Sequence, residues 1–189
     1  MTKVPANAVR VFEGKLHDVY HWDQPMFDGT IQTFEMLKRR PSVTIIAVTS
    51  TGSIIVNDEQ QPFNGRCFCL PGGVSESDDL LKDAKRELEE ETGYTSNQWS
   101  FFTKIDVLEY SKIEWESYFY IAKQCEPSGA VKLDSGEDIV PMLYDFDEFI
   151  KIVQSETFSN TYIKDYIKTL TSNTQEMLRF KKDILGLTP

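Results

Sequence analysis

Histidine and cysteine are scarce in this chain, and their scarcity excludes several functions. The 189 residues include 2 histidines and 3 cysteines. His17 and His21 stand too isolated to suggest a zinc site. Cys67, Cys69 and Cys125 do not make a disulfide framework, and Cys67 and Cys69, two apart on an expected strand, read as packing residues. A reducing, cytoplasmic setting is the simplest reading of such thiols. No apolar run approaches the length of a membrane span, and the first residues lack the pattern of a signal peptide. Basic residues are in deficit as well, 20 against 30 acidic ones, for a net charge of −10. That balance argues against sequence-independent binding to DNA or RNA, which relies on basic surface. A small phosphorylated ligand is not excluded, because a bound cation reverses the local sign.

What is present suits one packed domain with a small appendage. Hydrophobic residues make up 40% and aromatics 12% of the chain, enough for a core at this length. Residues 8–22 and 30–40 read as strands, with Gly29 marking the turn between them. Residues 42–49 form a continuous run rich in β-branched side chains, and Thr51-Gly52 turns it into a strand over 53–57. Asn64-Gly65 is a hairpin-type turn before a strand over 66–70. Further strands are expected over 99–110, 116–123 and 138–143, and helices over 146–154, 161–170 and 175–185. No internal repeat or low-complexity segment interrupts them. Strands on both sides of one central helix, then C-terminal helices, predict an α+β fold with a mixed sheet sandwiched between helices.

The stretch from residue 72 to 94 carries the most information. From residue 79 onward it reads as a helix, with Leu80, Leu81, Ala84 and Leu88 at helical spacing and no Gly or Pro until Gly93. Ser75 or Ser77 is the expected N-cap, Asp78 and Asp79 suit the positive end, and Gly93 is a natural terminator. Glu87, Glu90 and Glu91 then share one face within a single turn. Like charges at that spacing repel, and a divalent cation removes the repulsion; Mg²⁺ is the hard cation that carboxylates and substrate phosphates hold together. A Glu-rich helix face is more often simply solvated. The glycines and the arginine decide the matter.

Gly72, Arg86, Glu87, Glu90, Glu91 and Gly93 match six of the fixed positions of the Nudix box, which this stretch resembles. At roughly 7% usage per residue type, six such matches arise by chance on the order of 10⁻⁷ per starting position. Two departures stand out. The first glutamate of the box is Asp78 here, and the box glycine falls on the first rather than the second glycine after Pro71. The loop ahead of the helix is therefore expected to be one residue shorter than usual.

Flanking residues resemble the ADP-ribose pyrophosphatase branch of the Nudix family: Asp28-Gly29, Phe34-Glu35, Arg39-Arg40-Pro41, Glu59-Gln60 and the acidic loop Gly136-Glu137-Asp138. The resemblance implies an N-terminal β region over residues 1–41, serving homodimerisation, and a Nudix domain over 42–189 with a helical tail. It implies Mg²⁺, with Mn²⁺ as an alternative, held by Glu87, Glu90, Glu91 and the backbone at Gly72. Arg86 would orient a glutamate, Gly72 and Gly73 would admit metal or phosphate closely, and Glu137 or Glu90 would activate water. Arg40, Phe34 and Tyr110 are candidates for substrate contact, with Trp22 and Trp115 as further aromatics; each aromatic can equally fill core. Cys69 replaces a glutamate of the branch, and Tyr110 stands where the branch has proline and resembles the dinucleoside-polyphosphate branch. The implied activity is hydrolysis of a nucleoside diphosphate linked to another group, ADP-ribose or a nucleotide sugar first. A nucleoside triphosphate, a dinucleoside polyphosphate or a non-catalytic ligand sensor are the alternatives.

Overall fold

The computed structural model describes residues 3–62, 64–107, 111–129, 131–133 and 135–186. Three strands come first, β1 (Val9–Phe12), β2 (His17–Pro25) and β3 (Ile31–Arg39). They are followed by β4 (Ser42–Thr49), β5 (Ile54–Gln61), β6 (Asn64–Cys69) and β7 (Gly72–Val74). Helix α1 (Leu80–Thr92) precedes β8 (Tyr94–Thr95), β9 (Gln98–Asp106), β10 (Ile113–Glu114), β11 (Glu116–Pro127) and β12 (Asp138–Tyr144). Three helices end the chain, α2 (Phe146–Val153), α3 (Thr161–Thr171) and α4 (Thr174–Leu185).

Alternation along the central strands builds the sandwich. In β4 every residue from Val43 to Thr49 is buried, the pattern of a strand covered on both faces. Val43, Ile45 and Ala47 join Ile55 of β5, Tyr120 and Ala122 of β11, and Ala84 and Leu88 of α1 in one cluster. Ile46, Val48, Ile54, Val56, Phe119 and Ile121 point the other way, onto Phe149, Ile163, Ile167, Phe180 and Ile184 of the C-terminal helices. The sheet runs β12-β5-β4-β11-β8, with β6 on β5, β7 on β4 and β9 on β11. It is mixed: β4 and β11 are parallel and the chain crosses between them through α1, whereas β5 and β12 are antiparallel.

The first three strands form a separate four-stranded sheet, closed by the short β10 lying parallel to β3. Residues 8–22, read as one strand from sequence, form two. The chain breaks between Phe12 and His17, where a Cβ on Gly14 would collide with the His17 carbonyl, so the backbone closes there only on glycine. In the other direction, β5 runs four residues past its expected end, because β12 and β6 both supply partners for it. No helix among the described residues is long and apolar enough to cross a membrane.

Candidate active site

Helix α1 starts on Asp79, whose side chain accepts the Lys82 N–H at 3.1 Å, and ends on Gly93 in the left-handed region at φ 70°. Ser75 and Ser77, the expected caps, do different work. The Ser75 and Ser77 hydroxyls donate to Asp83 Oδ2 at 2.6 and 3.0 Å, and the Ser77 N–H adds a third bond at 3.1 Å. Burial alone would raise the Asp83 pKa, but these bonds outweigh it and hold the carboxyl below its usual value. The clasp fixes the loop between the glycines and the helix.

Apolar residues of α1 face the sheet, and the carboxylates follow along its flank. Strand β7 lies against β4, with Gly72 opposite Thr44 and Gly73 opposite Val43. A Cβ on Gly72 would run into the Val43 carbonyl. One on Gly73 would sit 2.5 Å from Glu87 Oε1, so glycine there is what lets the carboxylate lie against the backbone.

Arg86 grips two carboxylates, donating from Nη1 to Glu90 Oε2 at 2.6 Å and from Nη2 to Glu87 Oε1 at 2.7 Å. Its Nε lies 3.8 Å from Asp83 and has no hydrogen-bond partner among the described residues. Glu91 is held differently. It is 6% exposed, and its Oε2 accepts the Gly72 N–H at 2.9 Å and Asn57 Nδ2 at 2.9 Å.

Burial without enough positive charge shifts the Glu87 and Glu91 carboxylates. Desolvation lifts Glu87 to about 7 despite Arg86, with the charges of Glu90 and Glu137 adding to the rise. Desolvation drives Glu91 well above the usual carboxylate range, opposed by the Gly72 N–H and reinforced by Glu87, Glu59 and Glu137. Glu137 precedes β12, and its charge is felt by both carboxylates. The adjoining loop touches α1 as well, since the Lys132 N–H donates to the Glu90 carbonyl at 2.8 Å.

These donors fit a hard divalent cation. They are carboxylate oxygens, partly buried and electrostatically undercompensated, beside a glycine backbone that leaves room. Among the described residues no three His, Cys, Asp or Glu side chains are already gathered as a closed cage. Arg86 bridges Glu87 and Glu90 instead.

The other candidates are dispersed. Arg40 is exposed and lines a 190 Å³ cavity with Arg10, Lys15, Lys38 and Arg39. Phe34 packs edge-on against Trp22 at 5.8 Å with the Lys112 ammonium 5.2 Å from its ring, all associated with the N-terminal sheet. Trp115 is covered by the Arg39 guanidinium at 4.0 Å and donates to Ser42 Oγ. Tyr110 lies outside the described residues. A larger cavity of 590 Å³ is lined by Thr49–Gly52, Asp145–Asp147, Lys181 and Leu185 and includes none of the carboxylates of α1, so size alone would misplace the chemistry.

Three residues near the carboxylates escaped the sequence reading as site components. Asp83 clasps the loop, Asn57 binds Glu91, and Glu59 accepts the Cys69 thiol at 2.7 Å. Burial and the Glu59 charge push the Cys69 pKa far up, so this thiol stays protonated. A polar Asn following Ile54-Ile55-Val56 was the available signal for Asn57.

Comparisons with known proteins give the family. The NUDIX domain profile matches residues 38–166. The chain is 28% identical over 148 residues to the ADP-ribose pyrophosphatase of Bacillus subtilis (strain 168), covering 77% of this chain and 80% of that protein. It also shares the fold of a crystal structure titled ADP compounds hydrolase, with a TM-score of 0.68 at 16% identity, covering 88% of this chain and 91% of the other. With more than half of its length matched, box included, the chain belongs to the Nudix family and is a Nudix hydrolase.

Proposed function

We propose that this enzyme hydrolyses the diphosphate linkage of a nucleoside-diphosphate derivative, ADP-ribose or another nucleotide sugar, in a Mg²⁺-dependent reaction. The products are a nucleoside monophosphate and a sugar phosphate. The observation that carries this reading is the flank of α1, where Arg86 grips Glu87 and Glu90 and the buried Glu91 accepts the Gly72 N–H of the glycine strand. The similarity to an ADP-ribose pyrophosphatase supports the substrate class.

Glu87, Glu90 and Glu91, with the Gly72 backbone, would hold the cation. When bound it neutralises phosphate charge and stabilises the charge that builds in the transition state. Arg86 keeps two of these carboxylates in one orientation, a task that suits its planar fork. Gly73 leaves the backbone open to a phosphate. Glu137 takes the proton from water as the water oxygen bonds to one phosphorus and the bridging P–O bond breaks. Glu90 is less suited to that role because Arg86 already holds its Oε2. Arg40 and Phe34 remain candidates for substrate contact in this reading, and Tyr110 keeps that role by resemblance alone.

The enzyme acts as a homodimer and works in the cytoplasm in this reading. Val9 and Ile31, 64% and 67% exposed, lie on one face of the N-terminal sheet and suit a covered surface. The free thiols suit a reducing compartment.

The test is a product assay. Purified protein is incubated with Mg²⁺ and, in turn, ADP-ribose, UDP-glucose, ATP and diadenosine tetraphosphate, and the products are separated by chromatography. The expected result is AMP and ribose phosphate from ADP-ribose. Glu90→Gln should lower the rate by about two to three orders of magnitude, the scale of losing one charge-stabilising group. Cleavage of another substrate alone would move the specificity, and no cleavage with nucleotide still bound would overturn the hydrolase reading of the site.

A further inference from the structure

Asn57 occupies a place where β5 is otherwise aliphatic. Ile54, Ile55 and Val56 before it are fully buried, and Asn57 is 0% exposed. By alternation it projects on the same side as Ile55, toward α1. There its Nδ2 donates to Glu91 Oε2 at 2.9 Å across 34 residues of sequence. Its Oδ1 is buried with no hydrogen-bond partner among the described residues. Turning the amide over would set its oxygen against a carboxylate oxygen, so the amide nitrogen belongs on Glu91. Cys69, directly opposite on β6, gives its thiol proton to Glu59 and offers none to this oxygen.

An orphaned amide oxygen weakens a core, so an asparagine at this position calls for a use elsewhere. The use is visible at Glu91. Asn57 and the Gly72 N–H bind the same oxygen, Oε2, while Oε1 accepts no hydrogen bond from the described residues. Two donors on one oxygen fix the rotation of the carboxylate and leave the other oxygen without a donor among the described residues. Both donors are neutral, in contrast to Glu87 and Glu90, which the Arg86 guanidinium pairs with.

We propose that Asn57 is a positioning residue for the cation site: it locks the buried Glu91 carboxylate so that Oε1 faces a divalent ion. This rests on the reading of Glu91 as a metal ligand. Holding partners of metal ligands typically contribute 10- to 100-fold in metal affinity.

Mn²⁺ binding to the full, metal-freed chain would be measured by calorimetry and by the loss of its free-ion electron paramagnetic resonance signal. Wild type would be compared with Asn57→Leu, branched at the same atom but without a donor, and with the smaller Asn57→Val, which suits a strand. Melting temperatures with and without Mn²⁺ would be recorded alongside. The expected result is affinity reduced by about 10- to 100-fold and a smaller Mn²⁺-induced rise in melting temperature. The metal-free melting temperature should be unchanged or higher, which a merely structural role would not produce. Equal affinity in wild type and either folded variant would overturn the positioning role while leaving the hydrolase reading intact. Absence of Mn²⁺ and Mg²⁺ binding in wild type would instead remove the metal reading itself. Where Asn57→Leu does not fold, Asn57→Val carries the comparison.

Discussion

The two sheets of this molecule are built to opposite specifications. In β1, β2 and β3 no residue is buried, whereas β4 buries seven consecutive residues between two helical layers. The main sheet therefore carries the fold and holds the carboxylates of α1 in place. The N-terminal sheet is held by polar contacts at its β10 edge: Lys38 pairs with Glu114 at 2.8 Å, and the Lys3 and Val4 N–H groups donate to the same Glu114 carboxylate. A site that must keep carboxylates fixed to a fraction of an ångström belongs on the rigid sheet. A surface that meets something else can sit on the open one.

Truncation of the core should show the contrast most strongly. Ile46 is 0% exposed at the centre of the cluster between β4 and the C-terminal helices. Ile46→Ala should cost about 2–5 kcal/mol by urea denaturation, and lower the melting temperature by about 5–15 °C. A cost below about 1 kcal/mol would mean that the helices re-pack over the gap, and the rigid-sheet side of the comparison would fail.

Much of this division is legible in the sequence, and the rest has identifiable physical reasons for being hidden. Helix α1 was readable because Leu80, Ala84 and Leu88 repeat at helical spacing and Gly93 supplies the left-handed terminator. The start was misread, since Ser75 and Ser77 look like caps and only the folded loop reveals Asp83 as their partner. The hold of Asn57 on Glu91 joins positions on different elements, which no local pattern encodes. Strand β10 is two residues long and pairs with β3, distant in sequence, so its place came from tertiary packing alone.

The second prediction concerns charge on the rigid side. In the metal-free protein Glu87 is lifted to about 7 by burial, and Glu91 moves in the same direction. The folded state then holds protons that the unfolded chain has released. The resulting stability is complete below the ordinary carboxylate pKa and is lost as pH rises through about 7. For Glu87 the loss is on the order of 3 kcal/mol. The metal-free melting temperature should therefore fall between about pH 5 and 8, and saturating Mg²⁺ should flatten the slope by replacing the protons. Calorimetric scans across that range check it; a rising metal-free profile would mean that the carboxylates are already compensated. Asp83 and Glu114, both held below the usual range, act in the opposite sense and only at more acid pH.

The smallest effect is the one that distinguishes an open sheet from a covered one. Val9 and Ile31 sit on the same face of the N-terminal sheet, 64% and 67% exposed in a single chain. On a surface that stays in water, Val9→Thr and Ile31→Ser should each change stability by no more than about 0.5 kcal/mol. On a surface covered by a second copy, each removes buried apolar contact, and the melting temperature becomes dependent on protein concentration. Sedimentation of wild type and the double variant, together with melting curves at two protein concentrations, separates the cases. A dimer that the double variant weakens assigns the open sheet to self-association. A dimer that both substitutions leave untouched places the contact elsewhere, and a monomer at all concentrations leaves this face for a different partner.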